Sequence, residues 1–398
     1  MTPLDPTALA RFQLAHDKAA TKSVPGLFAH KLERMSASPL AFLRGAAPMF
    51  YSVLEARPEL AKGPPGTGWL TGDMHLENFG AYRPEHAAGT ESDSAVFDLN
   101  DFDDAFVGPW RLDVLRLLTS LILGGREMGV DGPRALTLCD ALLDAYVGSA
   151  FHRKRIPSGP QVVTDLVGNV RGRTRTELLD ARTEVVRGKR RFVRGPRYED
   201  LAPKLRAKAE KAFAKYGKGL PRADRVPPDA LEVLDAAFRI AGTGSLGCLR
   251  VAVLVRGKGG RDGAWIFDMK SQGTPSAACL VRPPRLEPAE RVATAIGACL
   301  ARPPRMVGAT KLRGESMFVR RLMPQEDKLD LGKLPSSDLE PLARHLGALL
   351  GAAHHRGAKR LPSRPWKASQ RAGFLAQAIA LAGAHESMYL AYCDQVRR

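Results

Sequence analysis

Two acid-rich segments close together constrain this chain more than any other feature. In WLTGDMHLENFGAY (69–82) a short apolar run at 69–70 gives way to a polar loop. In VFDLNDFDDAFVGPW (96–110) a strand expected over 95–102 ends in a cluster of acids. If these side chains work together, the fold must return the second segment to the first. Strand candidates at 95–102, 236–270 and 316–322 among helical stretches give a helix-dominated α+β reading.

The residue types and spacing suit phosphoryl transfer. Such chemistry needs an acid to orient or accept the proton of an attacking hydroxyl, and oxygen ligands that hold magnesium against nucleotide phosphates. Asp73 with Asn78 five residues later has the spacing of a kinase catalytic loop, where the Asn binds metal from the same loop as the base. A second acid must come from the following strand, and Asp101 or Asp98 can supply it. The blander reading is a polar turn with N-capping acids; His75 reads more readily as a loop-packing histidine. The downstream pattern resembles that of aminoglycoside-phosphotransferase-like kinases, where a metal-binding Asp precedes Gly-Asp-Pro and a further Asp that opens a helix. Asp101 is followed by Gly108, Pro109 and Asp113. The resemblance therefore favours Asp101 as metal ligand, keeps Asp98 in reserve, and implies that Asp113 braces the loop.

A second constellation lies far downstream. GTGSLG (242–247) leads into a strand at 250–255, and Lys270 stands on the next strand, AWIFDMKSQ. A dinucleotide fingerprint requires strand, glycine turn and helix. Strand, glycine turn, strand and then a lysine is the protein-kinase arrangement. On that reading Gly242, Gly244, Ser245 and Gly247 cover the phosphates and Lys270 contacts them; a plain hairpin with a surface lysine is the competing one. Glu287 or Glu290, on the helix that follows, could pair with Lys270, and Glu290 joins the candidate nucleotide site. SMFVRRL (316–322) fits the strand leading to a hinge.

The motif order is reversed relative to an ordinary kinase, since the catalytic loop precedes the glycine loop. The expected fold is thus α+β, a protein-kinase-like two-lobe fold that is circularly permuted, with a helix-rich larger lobe. Residues 1–150 would carry the catalytic loop and metal site. Residues 151–235 would form a basic hairpin and helix insertion, 236–325 a smaller β-rich nucleotide-binding lobe, and 326–398 the helices completing the larger lobe.

Composition supplies context. The chain has 398 residues, 44% of them hydrophobic, enough for a sizeable core. Its formal charge is +18, which favours an anionic partner. The charge is uneven: residues 152–225 hold 21 Lys and Arg against 8 Asp and Glu. Nucleic acid is one partner this segment could take, with RTEVVRGKRRFVRG expected to form a hairpin turning at Gly188-Lys189. Five dispersed cysteines without a C-x-x-C pair read as small buried hydrophobes in a reducing cytoplasm. No signal-peptide pattern or membrane-length apolar run is evident, so a cytoplasmic protein without a membrane partner is expected.

The chain resembles the bacterial DUF2252 family over most of its length. The blocks carrying the resemblance are RMSASPLAFLRGA (34–46), TGDMHLENFGAY, VFDLNDFDDAFVGPWRLDVLRL (96–117), GTGSLG, FDMK (267–270) and FVRRL (318–322). Family members often carry Lys-Glu-Ala after the strand, whereas this sequence has Lys270-Ser271-Gln272. Arg34 and Arg44 are block residues of unassigned role; Arg44 could contact phosphate or pair with an acid in the core, and the latter is expected. The family implies no particular reaction; the kinase-like chemistry comes from the more distant phosphotransferase similarity. The leading expectation is an enzyme using ATP or another nucleoside triphosphate with Mg2+ to phosphorylate a small molecule or a protein. The alternatives are a metal-dependent phosphoesterase or nuclease, because GDMH resembles the G-D-x-H of metallophosphatases, and a non-catalytic nucleotide- or nucleic-acid-binding protein.

Overall fold

The structure, a computed structural model, describes residues 4–22, 26–84, 95–241, 247–260, 262–323 and 326–397. Helix makes up 53% and strand 18%, as an α+β chain should. It opens with four helices, α1 (Pro6–Ala20), α2 (Gly26–Met35), α3 (Pro39–Gly45) and α4 (Ala47–Ala56). Ser38 caps α3 by accepting from the Ala41 N–H at 3.1 Å. Pro48 does not kink a continuous helix; it lies in the first turn of α4, where its missing N–H is harmless.

Four short strands follow: β1 (Thr67–Leu70), β2 (Phe79–Tyr82), β3 (Val96–Leu99) and β4 (Phe106–Pro109). Their pairing explains how the two acidic segments meet. β1 is antiparallel to β4 with Leu70 opposite Phe106, and β2 is antiparallel to β3 with Phe79 opposite Leu99. The loop leaving β1 therefore starts where the loop leaving β3 ends, and ends where that loop starts, so the two run side by side. Helices α5 (Arg111–Glu127) and α6 (Gly132–His152) come next. Nearly all of α5 is buried, including Asp113 and Arg116, so those two polar groups must be satisfied internally.

The basic segment begins with α7 (Gln161–Gly172), α8 (Arg175–Asp180) and a hairpin of β5 (Thr183–Val186) and β6 (Lys189–Phe192). The hairpin turns at Arg187-Gly188, one residue earlier than the sequence suggested. Both turn residues have positive φ, 50° and 76°, as a two-residue primed turn demands. Then come β7 (Tyr198–Asp200), α9 (Pro203–Gly219), β8 (Val233–Arg239), β9 (Arg250–Val255), β10 (Trp265–Gln272), α10 (Pro288–Cys299), β11 (Gly308–Leu312) and β12 (Glu315–Leu322). They build one antiparallel sheet in the order β11-β12-β10-β9-β8-β7. Strand alternation divides β10. Phe267 and Met269 join the core that α9 fills with Phe213 and Tyr216. Lys270 lies opposite Phe318, on the other face, where Phe318 packs with α10. The basic segment thus supplies β7 as edge strand and α9 as cover to the same sheet.

Residues 326–397 return to the N-terminal elements. β13 (Glu326–Lys328) pairs with β2, and β14 (Ala358–Arg360) pairs with β1. Between them α11 (Leu339–Arg356) lies against α6, and α12 (Ala368–Arg397) packs on α1 and α5. Gly347 and Gly351, one turn apart, make the α6–α11 contact possible. A Cβ at either would overlap a backbone carbonyl, of Leu142 or of Tyr146. All five cysteines are free, but only Cys139 and Cys299 are buried; Cys279 is exposed. No described helix is long and apolar enough to cross a membrane.

Candidate active site

The loop after β1 is built around Gly72, whose φ of 83° suits glycine. Any Cβ there would overlap the Asp104 carbonyl oxygen, so this glycine lets the two acidic loops touch. Tyr51 donates to the Gly72 carbonyl. Asp113 braces the loop from below: Oδ2 accepts from Thr71 N–H at 2.8 Å and Thr71 Oγ1 at 3.0 Å, and Oδ1 from Gly72 N–H at 3.0 Å. His354, 3.3 Å from Asp113 Oδ2, in turn shares a 2.9 Å hydrogen bond with Tyr146. This histidine is a buried prop for the loop.

Asp73 projects from the braced loop with 27% of its side chain open to solvent. Arg116, fully buried, donates to its Oδ1 through Nε at 2.9 Å and to the Leu43 carbonyl at 2.7 Å. Burial raises the Asp73 pKa, the Arg116 charge opposes this, and the nearby Asp104 adds to the rise; the carboxyl ends at about 7. Asn78 donates its amide to the Asp73 carbonyl at 2.5 Å, which leaves its amide oxygen as an acceptor. His75 is buried and its Nδ1 accepts from Glu77 N–H at 3.2 Å. Burial holds its pKa well below the usual histidine value, reinforced by Arg44 and Arg116, and its role is to shape the loop. Arg44 does pair with an acid, Glu77, at 2.7 Å.

The second loop separates the two reserve and preferred metal ligands. Asp98 lies on β3 and turns away from Asp73. It is 6% exposed, 3.8 Å from Arg356, and lines neither cavity described below. Burial pushes its pKa to about 6 against the pull of Arg356. Strand alternation keeps it out of both cavities. Asp101 stays in the cleft and accepts from Asp103 N–H at 3.2 Å.

Lys270 reaches this loop from β10, although 167 residues separate it from its partner. Its ammonium pairs with Asp103, whose other oxygen accepts from Gln272 at 2.7 Å. Burial opposes ionisation of Asp103, but the Lys270 charge and hydrogen bond outweigh it and hold the carboxyl below its ordinary value. Asp104 accepts from Ser276 N–H at 2.8 Å. Arg291 on α10 donates to the Asp103 and Gly273 carbonyls, both at 3.0 Å. The expected glutamate partner is not found: Glu290 is exposed in the first turn of α10, and Glu287 pairs with Lys311 at 2.9 Å. The helix presents Arg291 inward, one residue on, and the Lys270 counter-charge comes from Asp103. Gly242, Gly244 and Ser245 lie outside the described residues. Gly247 is described, with φ of 98°, close against the end of α1, where a Cβ would overlap the Ala20 carbonyl.

Two cavities meet at this wall of charge. The larger, about 440 Å³, has apolar sides from Leu99, Val292, Ile296, Phe318 and Met323, and polar ones from Arg239, Arg250, Asp268 and Arg320. Arg250 Nε is 2.9 Å from both Asp268 oxygens, and Arg239 is 2.8 Å from one. The smaller, about 320 Å³, is lined largely by polar residues, Asp73, Asn78 and Asp104 among them. Asp101, Asp103, Lys270 and Lys328 line both. No group of three His, Cys, Asp or Glu side chains among the described residues forms a ready metal cluster. Magnesium commonly needs less, one or two carboxylates plus waters and phosphates; Asp101 and Asn78 both line the smaller cavity.

Sequence reasoning missed Arg116, Asp103, Asp104, Arg291 and the Arg239–Asp268–Arg250 cluster. Arg116 had a visible signal, since it lies three residues after Asp113 and shares its helix face. Arg291 had none, because one basic residue in a helix reads as solvated.

Residues 23–398 match the family described as uncharacterized protein conserved in bacteria (DUF2252). The chain belongs to that family. No curated protein matches it, and no solved structure matches it.

Proposed function

We propose that the chain is a phosphotransferase using ATP, or another nucleoside triphosphate, with Mg2+, on a circularly permuted kinase-like two-lobe fold. The observation that carries this reading is the Lys270–Asp103 pair. It joins the lysine of an antiparallel sheet to the acidic loop packed against Asp73 and Asn78. The sheet also supports it, since Lys270 stands on the strand after the β8–β9 pair and a helix follows.

In this reading the base occupies the apolar part of the larger cavity. The phosphates reach the wall between the cavities, where they compete with Asp103 for Lys270. Arg239 and Arg250 share one carboxylate, so a positive surplus remains beside them. Asp101 and Asn78 hold the metal, which supplies charge neutralisation at the phosphate oxygens. The acceptor hydroxyl lies in the smaller cavity. As it attacks the terminal phosphorus, its proton passes to the Asp73 carboxylate and the nucleoside diphosphate departs. A carboxyl with a pKa of about 7 is suited to that exchange near neutral pH.

Metallophosphatase-type hydrolysis has less support. Of the described histidines only His16 and His75 line the cavities, and His75 is committed within its own loop. Asp73→Asn is the test. Turnover of ATP should fall by about two to four orders of magnitude, while binding of a non-hydrolysable analogue stays near wild type. Unchanged turnover would reject the role of Asp73.

A further inference from the structure

Helix α9 carries Lys204, Lys208, Lys211, Lys215 and Lys218, at alternating steps of four and three residues. That spacing aligns all five on one stripe, and all five are exposed. The opposite face is occupied, with Ala209, Ala212, Phe213 and Tyr216 buried against the sheet. The one acid of α9, Glu210, already pairs with Arg206 at 3.0 Å. Among the described residues no ion pair engages any of the five lysines. Like charges at these spacings repel one another, and a polyanion laid along the stripe would relieve that repulsion.

Two cations of the neighbouring hairpin are less available. Arg190 is buried and donates to Thr183 at 2.8 Å, and Arg191 pairs with Glu184 at 2.9 Å. The stripe also lies over the sheet face opposite Lys270, so it is independent of the phosphotransfer reading.

We propose that the α9 lysine stripe binds the phosphate backbone of a nucleic-acid duplex without reading its sequence. Five cations spread over about 21 Å of helix face a polymer with one negative charge per about 1.7 Å of axis. Besides the lysines, the exposed positions of α9 are Pro203, Ala207, Ala214 and Gly219. None offers an aromatic platform for unpaired bases, and none offers an amide to read a base edge. A membrane fits less well, because interfacial helices insert an apolar face and that of α9 is already buried.

The test is fluorescence anisotropy of a short labelled DNA duplex with the full chain, at about 50 to about 200 mM salt. Lys204→Gln/Lys211→Gln/Lys218→Gln should weaken binding more than tenfold at the low end. It should also make the slope of log K against log salt shallower by about 2.7. The corresponding triple Lys→Arg variant should bind like wild type, which separates lost charge from lost fold. Three results would overturn the proposal: no duplex binding at low salt, a Gln variant that binds like wild type, or equal affinity for polyglutamate or phosphatidylserine vesicles.

Discussion

Arg116, on α5, and Asp73, on the wall of the smaller cavity, form a hydrogen-bonded pair. The guanidinium is wholly buried on α5, and the carboxylate it meets at 2.9 Å is part-exposed on the braced loop. Burial and Arg116 pull the Asp73 pKa in opposite directions, and burial prevails, leaving it at about 7.

Phosphotransfer should therefore rise with pH through about 7 as the Asp73 carboxylate forms. Arg116→Met removes the opposing charge and should move that limb to higher pH, which a pH–rate profile reads directly. The same shift has a stability consequence. Between the unfolded value near 3.9 and about 7, the folded protein keeps a proton that the unfolded chain releases. Stability from this group is complete below that window and is lost as pH rises through it. Asp73→Asn should remove this slope, most visibly as a gain in thermal midpoint above pH 7.

Asp98 and Asp101 should behave oppositely. Asp101→Asn is expected to abolish the magnesium dependence of nucleotide binding, measured by titration calorimetry with and without the metal. Asp98→Asn leaves the cleft intact and should keep that dependence, since Asp98 faces Arg356 instead.

Lys270→Met should weaken nucleotide binding about tenfold to a hundredfold, the loss of a charge-assisted hydrogen bond. The variant also removes what holds the Asp103 pKa low, so that carboxyl should titrate at higher pH. A double-mutant cycle with Asp103→Asn should show strong coupling in stability.

Asp113→Ala deletes the acceptor of three hydrogen bonds to Thr71 and Gly72. The expected cost is about 3 kcal/mol or more, read from chemical denaturation, with loss of turnover because the Asp73 loop is no longer held.

Gly347→Val should destabilise the α6–α11 contact by about 1–3 kcal/mol or more, as overpacking does. The effect should appear in thermal unfolding. The cleft lies elsewhere, so nucleotide affinity of the folded fraction should not change.

Much of this was legible in the sequence, for identifiable reasons. The helices α5, α6, α11 and α12 and the strands β9, β10 and β12 carry apolar patterns that report their own burial. Asp73, Asn78 and Asp101 could be singled out because they sit at short spacing in two neighbouring segments, and the structure places all three on the wall of one cavity. Asp113 as a brace came from the phosphotransferase resemblance, because its place in the first turn of a helix suits an ordinary dipole-stabilised Asp equally well. Partnerships across long separations were not. Nothing local distinguishes Asp103 from Asp101, and only the return of β10 to the acidic loop gives Asp103 its cation. The Glu290 expectation failed by one residue of helical phase, about 100°, which turned Arg291 inward instead. The basic segment read as an appendage because charge hides the four buried positions by which α9 covers the sheet.

The most direct measurement is a structure of the chain with magnesium and a non-hydrolysable ATP analogue. The expected result has the base between Leu99 and Phe318, the phosphates beside Lys270, and the metal held by Asn78 and Asp101. A nucleotide bound elsewhere, or a Lys270–Asp103 pair left intact beside an empty cleft at saturating analogue, would contradict it.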